Sequence, residues 1–203
     1  LDQRLRRLTK LEHKIRRSRE AIVDAVDTDF GGRARQETLL GEIFTTLAGI
    51  RHARRWLWWW MRTRRPLTSP LFFPGTSQIC YQPLGVVGII SPWNYPFHLA
   101  MAPLAQALAA GNRVMLKPSE HTSATSALLE SMLADSFPEE EIAVVRGGAA
   151  VGAAFSSLPF DHLLYTGSAG TGRKVMQAAA KHLVPVTLEL GGKSPAILGE
   201  RSE

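Results

Sequence analysis

A chain of 203 residues, 45% hydrophobic and 21% charged, can hold one sizeable core but not two full domains. Its single cysteine excludes an internal disulfide and a cysteine-rich metal centre, and no apolar run approaches the ~20 residues of a bilayer span. The net charge of +6 is uneven: residues 1–75 hold 16 Lys and Arg against 8 Asp and Glu, whereas residues 76–203 hold 8 against 10. The first twenty residues are basic and lack the apolar segment of a signal peptide, so a reducing, cytoplasmic setting is expected. The chain begins with Leu1 instead of Met and is expected to lie inside a longer reading frame.

Two helices are predicted first. Leu1, Leu5, Leu8, Leu11, Ile15, Ile22 and Val26 recur at three- and four-residue steps, with a skipped turn near Ser18 and Arg19, and Phe30-Gly31-Gly32 ends the run. A second run from about Arg35 carries Leu39, Ile43, Phe44, Leu47, Ile50, Leu57, Trp58 and Met61. Four of the five tryptophans fall between Trp56 and Trp60. Basic helices with aromatics suit a nucleic-acid or membrane surface. The plainer reading, adopted here, is two helices packed on a larger body, with a solvated Arg face and buried tryptophans. Pro66, Pro70, Pro74 and Gly75 mark residues 62–76 as a linker. A short strand is expected from Thr76 to Gln82, with Cys80 as a small buried residue in it.

From residue 76 onward a second unit is predicted. Gly85 to Ile90 has the β-branched run of a strand buried on both faces, and Pro92 breaks it to deliver Trp93 and Asn94 just past its carboxyl end. The pattern then alternates: helix Phe97–Ala110, strand Arg113–Leu116, helix Thr122–Ser136, strand Ile142–Val145, helix Ala149–Ser157, strand His162–Tyr165, helix Gly170–His182, strand Val186–Leu190, and a strand-like SPAILG close to the end. Strands alternating with helices over short loops predict an α/β fold, a doubly wound parallel sheet of Rossmann type, preceded by the two N-terminal helices. Residues 1–75 would pack on the sheet unit of residues 76–203.

In such a sheet, ligands gather at the carboxyl ends of the strands. Those ends present Asn94, Lys117 with Glu120, Gly167 with Ser168, and Glu189. YTGSAGTG opens a helix directly after a strand, where free N–H groups and the helix dipole suit a phosphate. Its glycine spacing is not the usual dinucleotide fingerprint, so alone it is a weak signal. Lys117 and Glu120 could bind ribose hydroxyls by charge-assisted bonds, or form an exposed capping loop.

Taken together, SPWNYP, LKPSE, YTGSAGTGRKVMQAAAKH and VTLELGGKSP stand here in the order seen in aldehyde dehydrogenases. The chain most resembles the class 3 type, which includes fatty and aromatic aldehyde dehydrogenases and the bacterial coniferyl aldehyde dehydrogenases. The similarity is continuous over about residues 75–199. The resemblance implies that Asn94 lends its amide to an oxyanion hole and that Glu189 is the general base that releases the acyl group, a role calling for a buried carboxylate. For Glu189 the alternative is a strand-end carboxylate held by Lys193. It also implies that Lys117 and Glu120 hold the adenosine ribose of NAD, that Gly167 and Ser168 hold its pyrophosphate, and that Ile90, Ser91 and Trp93 line its groove. Leu190 and Gly191 would lie near the nicotinamide. NAD is expected over NADP because Glu120 would repel a 2′-phosphate. No metal is implied.

One departure stands out. In this family a cysteine thiolate attacks the aldehyde, and the adduct passes hydride to NAD. That cysteine lies further past the glutamate than this sequence extends, and Cys80 precedes the first sheet strand. The expected activity is oxidation of an aldehyde to a carboxylic acid with NAD(P), with this chain as the cofactor-binding part and the catalytic domain absent. The competing expectation is a non-catalytic dinucleotide-binding or interaction module. The expected partners are a small-molecule aldehyde and, in the intact protein, a second copy in a homodimer, with the Thr76–Gln82 strand in an intersubunit sheet; no nucleic acid is expected.

Overall fold

The computed structural model describes residues 1–197. Residues 198–203, which complete the predicted 76–203 unit and the end of SPAILG, lie outside the described residues. Ser194 to Ile197 is irregular, and Ile197 is exposed.

The N-terminal third is helical as expected, but its first run is two helices. α1 (Asp2–Arg17) and α2 (Arg19–Phe30) meet at Ser18, the skipped turn of the apolar pattern. α2 ends where Gly31 turns left-handed, at φ 65°. α3 (Arg35–Glu37), a π-helical stretch (Thr38–Phe44) and α4 (Thr45–Trp60) then run on as one continuous helix.

Only one face of α4 meets the body, through Thr46, Leu47, Ile50, Ala53 and Leu57. The tryptophan cluster is therefore not buried, against expectation: Trp56, Trp58, Trp59 and Trp60 fall on the other faces and are 39–52% exposed. Arg62 stacks on Trp59, and His52 packs between Trp56 and Trp60. The expected Thr76–Gln82 strand is also absent. A strand exists only with a neighbour, and this segment has a single antiparallel bridge, Arg64 to Ile79. Cys80 is exposed in this linker instead of buried in a strand.

The remainder is a five-stranded sheet, all parallel, in the order β3-β2-β1-β4-β5. The strands are β1 (Val86–Ile90), β2 (Arg113–Lys117), β3 (Ile142–Val144), β4 (His162–Gly167) and β5 (Val186–Leu190). Between them run α5 (His98–Ala110), α6 (Ser123–Ala134), α7 (Ala149–Ser156) and α8 (Ala169–Ala180). The two-residue period of each strand divides its side chains between two cores. Val87, Ile89, Val114 and Leu116 join α1, α2, α4, α5 and α6 on one face. Ile90, Leu163 and Tyr165 join Phe155, Phe160, Val175 and Ala179 on the other.

Gly88 is packed closely against the second face. A Cβ there would lie 2.7 Å from Phe160 and 2.8 Å from Leu163. Gly88→Ala is expected to destabilise by about 1–3 kcal/mol through overpacking, which chemical unfolding would measure.

Buried Glu12 ties α1 to α4, accepting from Arg16, Arg51 and Arg54. Burial alone would raise its carboxyl, but the three guanidiniums outweigh that and hold it below its ordinary range. A depressed folded value adds stability that is full above the ordinary glutamate range and is lost as pH falls through the lowered value. Glu12→Gln is expected to flatten that acid limb in urea unfolding between about pH 3 and 6.

Candidate functional site

From β1 the chain winds outward through β2 and β3, then returns to lay β4 and β5 on the other side of β1. The strand order thus reverses between β1 and β4, and a crevice opens there beyond the carboxyl ends. It holds a cleft of about 610 Å³. Its walls come from the β1 end (Ile90, Ser91, Pro92, Trp93), the β2 end (Lys117, Ser119, Glu120, His121), the β4 end (Tyr165 to Ser168), α7 and α8. Another hollow of about 570 Å³ lies among Arg16, Arg19, Leu39, Leu40 and Phe44, away from the strand ends and without a glycine turn.

Lys117 is buried, and its Nζ donates to Glu120 Oε2 at 2.6 Å across the cleft wall. The two form an ordered pair, Lys117 buried and Glu120 exposed in the turn ahead of α6. Burial alone would raise the Glu120 carboxyl; the Lys117 hydrogen bond and charge, with His121, hold it below its ordinary range. At the β4 end, Ser168 caps α8, its Oγ accepting from Thr171 N at 3.3 Å. Ahead of Thr171, the N–H groups of Ala169 and Gly170 precede the first helix bond, Gly172 N to Ser168 O. Ser91 Oγ is buried at the cleft and has no hydrogen-bond partner among the described residues. An orphaned hydroxyl, a lysine–carboxylate pair and a capped helix start on one cleft form a donor set that fits a ribose and a pyrophosphate.

Seven of the residues singled out from sequence therefore share this cleft: Ile90, Ser91, Trp93, Lys117, Glu120, Gly167 and Ser168. Four do not line it. Asn94 follows Trp93 directly and is exposed. Glu189 pairs with Thr166, a cleft residue, so it sits one strand over, about 4.8 Å away. Leu190 pairs with Gly167, and Gly191 follows. Glu189 is exposed, so residues 1–197 do not supply the burial expected for it.

Over residues 1–202 the sequence matches the profile of the Aldehyde dehydrogenase family. The chain belongs to that family. It is 52% identical to a probable coniferyl aldehyde dehydrogenase of Pseudomonas aeruginosa, over 98% of this chain and 42% of that protein. Among solved structures, the substrate-bound state of Staphylococcus aureus AldH matches with a TM-score of 0.92 and 40% identity, over 97% of this chain and 43% of that one. An NAD+ complex of aldehyde dehydrogenase from Bacillus cereus matches with a TM-score of 0.84 and 30% identity, over 97% and 40%. This aldehyde dehydrogenase chain thus spans 36–44% of the length of the relatives it matches, corresponding to their N-terminal portion.

The chain's one thiol, Cys80, lies beside Thr63 in the linker and does not line the cleft. Among the described residues no helix is long and apolar enough to cross a membrane, and no group of three His, Cys, Asp or Glu could hold a metal ion.

Sequence reasoning missed two parts of this candidate site. The α7 wall, with Gly152 and Ala153, was open to the same strand-then-helix logic that found Ser168. Arg33 and Glu42, which brace the turn carrying Asn94, left no local signal. Glu42 is fully buried, and its Oε2 accepts from Phe97 N at 2.7 Å and His98 N at 3.0 Å, where α5 begins.

Proposed function

We propose that this chain is the cofactor-binding part of an enzyme that oxidises an aldehyde to a carboxylic acid with NAD. The observation that carries the reading is the convergence of Lys117, Glu120, Ser168 and orphaned Ser91 on one cleft at the strand-order reversal. Lys117 and Glu120 would bind ribose hydroxyls, one as donor and one as acceptor. Ser168 and the α8 N-terminus would receive the pyrophosphate, with Gly167 leaving room for it. Ile90 and Trp93 would line the groove, and Leu190 and Gly191 would lie near its reactive end. Bound there, NAD would supply the hydride acceptor. Exposed Asn94, at the rim, would donate its amide to the oxygen anion that develops as the aldehyde is attacked. Glu189 would take the proton of the water that releases the acyl group, in an environment completed by residues outside this chain.

The nucleophile is assigned to a segment outside residues 1–203, so this chain alone is expected to produce no NADH from NAD and an aldehyde. Measurable turnover would contradict the assignment. Because the Glu120 carboxylate faces the ribose site, NADP is expected to bind about tenfold more weakly than NAD in calorimetry.

The absence of a thiol from the cleft and the exposure of Glu189 favour one alternative, a non-catalytic dinucleotide-binding module. The two readings share NAD binding and part on turnover by a full-length polypeptide that contains residues 1–203. The isolated bridge at Ile79, with its exposed flanks, supports pairing of this segment with a second copy in a homodimer; sedimentation of the same polypeptide tests that.

A further inference from the structure

Beside the cleft, one guanidinium meets the turn that carries Asn94 at two successive residues, Asn94 and Tyr95. Arg33 Nη1 donates to the Asn94 carbonyl at 2.8 Å. The same atom lies 3.3 Å from Glu42 Oε1, while Nη2 donates to Glu37 Oε1 at 2.7 Å. The guanidinium is sandwiched between two rings, 4.6 Å from the Phe30 centroid and 4.4 Å from that of Tyr95, the residue after Asn94. The Arg33 side chain is only 7% exposed despite its charge.

The other end of the turn is held by the same assembly. Glu42 accepts the N–H groups of Phe97 and His98. Phe30 also packs against Trp93, with ring centroids 6.3 Å apart. Residues 93 to 98 are thus braced at Trp93, Asn94, Tyr95, Phe97 and His98, while the Asn94 side chain stays exposed. A planar, five-donor fork can serve three acceptors at fixed angles, as a lysine ammonium on a flexible stem cannot.

We propose that Arg33, anchored by Glu37 and Glu42, is the positioning residue that aims the Asn94 amide. This rests on the reading of Asn94 as an oxyanion donor. An oxyanion donor acts through preorganisation, and its benefit disappears if the backbone that presents it can rotate. Tethering the Asn94 carbonyl fixes the peptide plane next to the donor without occupying the amide.

The test is a double-mutant cycle in a full-length polypeptide that contains residues 1–203, comparing Arg33→Met, Asn94→Ala and the pair. Asn94→Ala is expected to lower kcat by about 10²–10³, and Arg33→Met by about 10–100-fold, with the KM for NAD within about twofold of wild type. In the Asn94→Ala background, Arg33→Met is expected to cost less than about twofold more, because there is no amide left to aim. A purely structural role would give the same penalty in both backgrounds, and that result overturns the proposal, as does a folded Arg33→Met with unchanged kcat. If Asn94→Ala itself leaves kcat unchanged, the oxyanion reading falls and takes this one with it, so the two failures are distinguishable. Should Arg33→Met fail to fold, Glu37→Gln removes one anchor from a half-exposed position. It is then expected to lower kcat several-fold with the same dependence on Asn94, and no change would overturn the proposal.

Discussion

Replacing Glu42 by alanine is expected to destabilise the fold by about 3–5 kcal/mol, the cost of removing one partner from a buried charged pair. The residue is fully buried in the π-helical stretch, and its two oxygens serve different parts of the molecule. One faces Arg33, and the other takes two N–H groups at the start of α5, which have no intrahelical partners. Alanine would leave both N–H groups unsatisfied and the guanidinium without its buried counter-charge. On the order of 10 °C would be lost from the melting temperature. Glu42→Gln keeps an acceptor for the N–H groups and is expected to cost only about 1–2 kcal/mol. Burial raises the Glu42 carboxyl above its ordinary range, against the N–H bonds and Arg33. The folded chain therefore holds that proton more firmly than the unfolded chain. The stability tied to Glu42 declines as pH rises from the ordinary glutamate value through the raised one, and Glu42→Gln should remove that slope. A loss below about 1 kcal/mol for the alanine variant would mean the clamp is ornamental.

Gly167→Val is expected to weaken NAD binding by at least about a hundredfold, as measured by calorimetry. A Cβ at this position would lie 2.3 Å from Tyr165 Oη and 2.7 Å from its Cζ. Tyr165 cannot step aside, because it is packed with Phe155, Phe160, Leu163 and Val175. The turn must move instead, carrying with it the Ser168 cap and the N-terminus of α8. Two effects then combine: the N–H groups leave their direction, and an isopropyl group occupies space the pyrophosphate would need. Affinity within about threefold of wild type would show that the phosphate does not lie on this turn.

Some of this architecture could be read directly from residues, for identifiable reasons. A strand covered on both faces shows an unbroken β-branched run, so Val86 to Ile90 stood out and the parallel sheet followed. Parallel strands all point their carboxyl ends to one edge, so Lys117, Glu120, Gly167 and Ser168 could be grouped though they are far apart in the chain. The clamp could not be read. Arg33 reaches Asn94 across 61 positions, and Glu42 reaches Phe97 across 55; on a helix, a lone glutamate resembles any solvated residue. The tryptophans misled because composition does not say which face of α4 meets a neighbour. The Thr76–Gln82 segment has strand-like residues but only the bridge at Ile79 to pair with. Glu189 stands near the carboxyl end of β5, yet its exposure depends on what covers β5, which its own neighbours in sequence do not encode.

A dinucleotide is expected to occupy the cleft between β1 and β4, and calorimetric titration of NAD into the folded chain tests that most directly. Saturable binding is predicted, weakened about 10–100-fold by Lys117→Ala, the loss expected for a charged hydrogen bond. A well-folded sample that takes up no NAD, or one whose affinity is indifferent to Lys117→Ala, would contradict it.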